Sequence, residues 1–106
     1  MFERSGIKEF PLLLNTSNIT DMNQMFYDCD KLESAYVSAW DTSSVTDMGY
    51  MFRGCDYLKE IDFTGCDLSK IQNLENIVST SSDQSVEKVD FTNAKINNKF
   101  RFSYFR

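Results

Sequence analysis

The chain contains no histidine, one proline, four glycines and three cysteines in 106 residues. Without histidine there is no histidine-assisted nucleophile and none of the usual zinc ligand sets. With so few glycines there is no phosphate-cradling loop. The expectation is therefore no enzyme, no cofactor and no bound metal. An odd set of cysteines without metal-ligand spacing points to reduced thiols in a cytosol rather than to a disulfide frame. No apolar run approaches the roughly 20 residues needed to cross a bilayer, and "MFERSGIKEF" has charges where a secretion signal keeps its apolar core. A cytoplasmic chain that stays where it is made and avoids membranes is expected, with the cell surface or a secreted form as the alternative.

What is present is apolar and repetitive. At 42% hydrophobic and 14% aromatic, the composition fits one small globular domain spanning residues 1–106. The stretch "TDMNQMFYDCDKL", ending at Leu32, recurs as "TDMGYMFRGCDYL", ending at Leu58, with Thr-Asp-Met, Met-Phe and Cys-Asp displaced by 26 residues. A period of this size belongs to repeat architectures, whose units cover one another's apolar faces. The units run over about 15–40, 41–66 and 67–94, between a capping strand at 1–15 and a cap at 95–106.

Within each unit the apolar spacing changes. Met22, Met25, Phe26 and Cys29 stand at i, i+3, i+4 and i+7, as do Met48, Met51, Phe52 and Cys55. That spacing predicts short helices near 21–29 and 47–55, with Thr20 and Thr46 as N-caps, and Leu74, Ile77 and Val78 extend the series to a third near 73–79. A second apolar set follows each, spaced three, two and three: Leu32, Ala35, Val37 and Trp40; Leu58, Ile61, Phe63 and Cys66; Val86, Val89, Phe91 and Ala94. The N-terminus supplies Ile7, Phe10, Leu12 and Asn15. Parallel strands are predicted near 9–13, 34–38, 60–64 and 88–92. The polar stretch "STSSDQS" absorbs two extra residues, and the tail with Phe100, Phe102 and Tyr104 is expected to lie over the last unit.

The stretches "TSNITDMNQMFYDCDKL" and "DTSSVTDMGYMFRGCDYLKEIDF" resemble the BspA-type class of leucine-rich repeats, with units close to "DTSNVTDMSxMFxxCxxLxxLDL". The resemblance implies an α/β fold, a short right-handed leucine-rich-repeat solenoid with about four parallel strands and three helices on the opposite face. It also implies a binding role, often on bacterial surfaces or in secreted proteins.

Charge locates a candidate site. Residues 9–90 carry fifteen acids and five bases, whereas residues 91–106 carry four bases and no acid. The predicted register stacks Pro11, Tyr36, Asp62 and Asp90 in one exposed column and Glu9, Ser34, Glu60 and Lys88 in the next. Tyr36, Glu60, Asp62, Asp90 and Glu9 are the expected binding residues, facing a protein partner with a basic surface rather than nucleic acid directly. The expected role is a small acidic intracellular binder or inhibitor, of the phage-encoded kind that blocks a nucleic-acid-binding protein such as a CRISPR nuclease. An adhesion fragment of a BspA-type surface or secreted protein is the alternative. Cys29, Cys55 and Cys66 are assigned to packing, and the glycan-acceptor patterns at Asn15 and Asn18 are given no functional weight.

Overall fold

The computed structural model describes residues 2–13, 15–78 and 86–97. Successive 26-residue lengths of backbone lie one over the next: Asp21 bridges Asp47 and Asp47 bridges Asn73, both in parallel, and Phe52 bridges Val78 in the same way. On another side of each coil a parallel sheet forms from β1 (Ser34–Ala35), β2 (Glu60–Asp62) and β3 (Lys88–Asp90), in that order. Ser34 pairs with Glu60 and Glu60 with Lys88; Ala35, Ile61 and Val89 follow, then Asp62 beside Asp90. The step from β2 to β3 is 28 residues, against 26 from β1 to β2. The stretch 79–85, where the two extra residues were expected, lies outside the described residues, as does the tail from residue 98.

The predicted helix-backed leucine-rich-repeat solenoid is not the fold that forms. Among the described residues there is no α-helix; the single helical piece is a 3-10 turn at Val37–Ala39. The hydrogen bonds explain why. A helix directs each N–H to the carbonyl four residues back. Here the N–H groups of Met22, Gln24, Phe26 and Asp28 donate instead to Asp47, Gly49, Met51 and Arg53 of the next coil, at 2.8 to 3.0 Å. Met48, Tyr50 and Phe52 repeat the pattern toward Asn73, Glu75 and Ile77. The alternate N–H groups close four-residue turns, Met25 to Met22, Tyr27 to Gln24 and Cys29 to Phe26. Gln24, Asp28, Tyr50, Gly54 and Asn76 all have positive φ, between 54° and 82°, which breaks any right-handed helix at each unit. Consecutive tight turns return the chain to the inside every three or four residues, so they reproduce helical spacing without a helix. Met22, Met25, Phe26 and Cys29 are buried, as are Met48, Met51, Phe52 and Cys55.

Strand prediction needs one correction as well. Among the described residues three strands form, each shorter than expected, and residues 9–13 form none. Pro11 has no N–H to give to a ladder. Leu12, expected inward, is 71% exposed, while Leu13 packs on the core. Sequence spacing also missed Phe2. Its N–H donates to the Met25 carbonyl at 2.8 Å and its ring stacks on Phe26 with centroids 5.3 Å apart. Phe26 stacks in turn on Phe52 at 5.6 Å. The dipeptide Met-Phe at positions 1–2, 25–26 and 51–52 was the available signal. Phe10 and Trp40 close the same end of the core, 4.4 Å apart, with the Trp40 indole donating to the Pro11 carbonyl.

Polar corners hold the coils in register. Asp47 Oδ1 accepts from the Gly49 N–H at 2.8 Å and from the side-chain amides of Asn23 and Asn73 at 3.2 and 3.1 Å, one from each neighbouring coil. The expected N-cap role of Thr20 and Thr46 is replaced by an inter-coil bond, Thr46 Oγ1 to the Thr20 carbonyl. Two buried threonines act alike: the Thr16 hydroxyl accepts from the Asp41 N–H, and the Thr42 hydroxyl donates to the Asp67 carbonyl. Each satisfied buried polar group removes a desolvation cost of about 1 to 3 kcal/mol.

Candidate functional site: the acidic sheet face and its edge cleft

The sheet contains three of the five predicted site residues, Glu60, Asp62 and Asp90. Glu60 lies between Ser34 and Lys88, and Asp62 lies beside Asp90. Tyr36 follows β1 directly and is 49% exposed. Glu9 sits apart from the sheet, on the far side of a cleft from β1. In-register Glu60 and Lys88 are of opposite charge, which favours the pairing, whereas Asp62 and Asp90 are like charges on neighbouring strands.

Local donors stabilise that acid pair. Asp62 Oδ1 accepts the Thr64 N–H at 2.9 Å, and Oδ2 accepts the Ser38 hydroxyl at 3.2 Å. Asp90 Oδ1 accepts both the Thr92 N–H, at 2.9 Å, and its hydroxyl, at 2.6 Å. These are Asx turns in which the side chain completes the corner after the strand. Hydrogen bonding by Thr64, above all from its side chain, holds the Asp62 carboxyl below its ordinary range despite partial desolvation and the Asp90 charge. The Thr92 hydroxyl and N–H do the same for Asp90. Asp41 and Asp67 are lowered in the same way by Ser43 and Ser69, which donate both hydroxyl and N–H at the matching corners. These acids therefore shape the chain as well as the face. Charge reversal at Asp62 and Asp90 should destabilise the fold, because lysine removes the acceptor from both corners; asparagine keeps it.

The linkage has a definite sign. Folded-state pKa values below the unfolded ones contribute stability that is present above the unfolded pKa and lost as pH falls through the folded pKa. The Asp62→Asn, Asp90→Asn double variant should therefore lose less stability than the parent between about pH 5 and pH 2. Thermal melts of both chains across that range check it; parallel losses would show that the two corners do not titrate with folding.

Beside β1 is a cleft of about 320 Å³ lined by Lys8, Glu9, Phe10, Glu33, Ser34 and Tyr36. Lys8, Phe10 and Glu33 were not assigned to a site from sequence, because the cleft exists only where residues 8–10 pass β1 without joining it. The cysteines lie elsewhere. All three are buried and none is in a disulfide. Burial pushes the Cys55 thiol up to about 12 and Cys66 to about 11, and raises Cys29. Cys55 Sγ donates to the Phe26 carbonyl and Cys29 Sγ to that of Phe2. Thiolate is the reactive form, so native-state labelling should be slow at all three and become fast in denaturant. Prompt modification of the folded chain would contradict this packing.

No group of acids and cysteines among the described residues is arranged to hold a metal ion. No helix among them is long and apolar enough to cross a membrane. A family model matches residues 1–104. The chain belongs to the family described as Mycoplasma protein of unknown function, DUF285. No curated protein and no solved structure matches it.

Proposed function

We propose that this member of the family is a non-catalytic protein-binding module that presents Tyr36, Glu60, Asp62 and Asp90 to a basic protein surface. The observation that supports this reading most is the in-register placement of Asp62 beside Asp90, in a sheet whose β1 is followed directly by an exposed tyrosine, on a chain body with a large excess of acids. A field of one sign steers oppositely charged partners and raises their association rate. Tyrosine adds a large contact area with a polar tip.

The same face suits two settings. As an intracellular inhibitor, of which a phage-encoded blocker of a CRISPR nuclease is the sharpest version, its carboxylates would compete with phosphates for lysine and arginine in a nucleic-acid channel. As an adhesion fragment, the setting favoured by the BspA-type resemblance of "TDMNQMFYDCDKL" and "TDMGYMFRGCDYL", it would engage a basic extracellular protein.

One experiment tests the shared element. The immobilised chain and its Glu60→Gln, Asp62→Asn, Asp90→Asn variant are compared in capture from nuclease-treated cell lysate and from extracellular matrix extract. The parent should retain partners that the variant loses, and these should elute as salt rises toward about 0.5 M, where charge screening is nearly complete within a few ångströms. Equal capture by the variant, or retention indifferent to salt, would remove the acidic face from consideration.

A further inference from the structure

We propose that the cleft between residues 8–10 and β1 takes an extended segment of the partner as an added strand, with a basic side chain of that segment held between Glu9 and Glu33. This rests on the reading of the acidic face as a site for a basic protein and specifies how that protein is gripped.

Three observations lead to it. First, among the described residues β1 is an edge of the sheet, with β2 on its one paired side. Edge strands present a row of backbone donors and acceptors that an extended peptide can extend, and peptide recognition by strand addition uses this feature. Second, the space is there. Residues 9–13, expected to be that next strand, form none, and residues 8–10 lie along the cleft. They stand off from Glu33, Ser34 and Tyr36 across about 320 Å³, the lower end of the size range of small-ligand sites and enough for one long side chain with its flanking backbone. Third, the lining has a sign. Glu9 and Glu33 contribute two carboxylates against the single ammonium of Lys8, and the Tyr36 ring stands exposed at the rim. A guanidinium or ammonium satisfies both carboxylates and gains from the tyrosine face.

Strand pairing then sets the spacing. Side chains two apart share a face, so the outward residues of an added strand would stand beside Ser34, prolonging the row Ser34–Glu60–Lys88, and beside Tyr36, which follows β1 directly at the end of the sheet where Asp62 pairs with Asp90. The occupant is thus an extended segment with basic residues at alternate positions, one in the cleft and the next at Tyr36 on the approach to Asp62.

The test uses a short capped peptide alternating valine and arginine, its counterpart with glutamate for arginine, and a version methylated on alternate backbone nitrogens. Each is titrated into the isotope-labelled full chain while amide resonances are followed. The arginine peptide should shift Lys8, Glu9, Phe10, Ser34 and Ala35. Its affinity should fall about tenfold for the Glu9→Gln, Glu33→Gln variant and about tenfold on backbone methylation, each a conventional decade in Kd. The glutamate peptide should leave the spectrum unchanged. Shifts confined to Glu60, Asp62 and Asp90, with β1 and residues 8–10 unmoved, would overturn the cleft while leaving the acidic face standing. Binding of the glutamate peptide, indifference to methylation, or no shift at millimolar arginine peptide would each overturn it too. The capture experiment judges the acidic face independently of these results.

Discussion

Replacing Phe26 with alanine should remove about 3 to 5 kcal/mol of stability, the usual range for truncating a buried phenylalanine. Phe26 is fully buried and is the ring on which one end of the core converges. It stacks between Phe2 and Phe52, with centroids 5.3 and 5.6 Å away and rings within 9° of parallel, and it meets Phe10 at 5.0 Å and Trp40 at 5.9 Å. Alanine leaves a void bordered by all four, and aromatic pairs add about 0.5 to 1.5 kcal/mol each beyond area burial. Small domains are stable by only about 5 to 15 kcal/mol, so the variant should melt far below the parent or fail to fold. Leucine keeps much of the volume without the stacking and should cost distinctly less. Denaturant midpoints for the parent and both variants provide the comparison. A loss under about 0.5 kcal/mol on alanine substitution, a size typical of surface changes, would mean that this ring is not in the core.

Phe26 also shows where the sequence was legible. Its inward position follows from the spacing of Met22, Met25, Phe26 and Cys29, and all four are buried. The same spacing misled on conformation, because consecutive four-residue turns and helices both return a side chain to one face every three or four residues. The distinguishing signal was sparse. Gly54 and Asn76 stand at positive φ where such residues are favoured, but Gln24 and Tyr50 do so too, and nothing in those residue types announces it. Register was easier to read than conformation: the 26-residue repeat is enough to place Ser34 beside Glu60 and Ala35 beside Ile61. For the candidate site, the columns across β1, β2 and β3 could be written down from spacing alone. The cleft could not, since it depends on residues 8–10 departing from the repeat just ahead of Pro11. The Asx corners lay between these cases. Asp41-Thr-Ser43 and Asp67-Leu-Ser69 recur at the 26-residue interval, and that recurrence was a signal for a structural rather than a binding role of the acids.

Gly54→Ala should be the most damaging single change of one carbon. Gly54 has φ of 82°, a left-handed conformation that costs an L-residue about 1 to 2 kcal/mol. Space is the larger obstacle. A methyl group built there would run into Asp28 Oδ1, with the Asp28 Cα and Cγ each at 3.1 Å. Asp28 occupies the equivalent place in the preceding coil, its own φ at 58°, and its N–H donates to the Arg53 carbonyl at 2.8 Å, so its carboxylate must swing aside while its backbone cannot retreat without loosening the bond between coils. Strain and collision are separable by a double-mutant cycle. Asp28→Ala removes Oδ1 and Cγ but leaves the left-handed backbone of residue 54 unchanged. If the collision is real, Gly54→Ala should cost clearly more in the parent than in the Asp28→Ala background, with a coupling between the two sites of about 0.5 to 3 kcal/mol, the range found for residues in contact. The residual cost in that background should then fall near the 1 to 2 kcal/mol expected of the backbone alone. Additive losses would place the two side chains out of contact and would undo the stacking of Asp28 over Gly54.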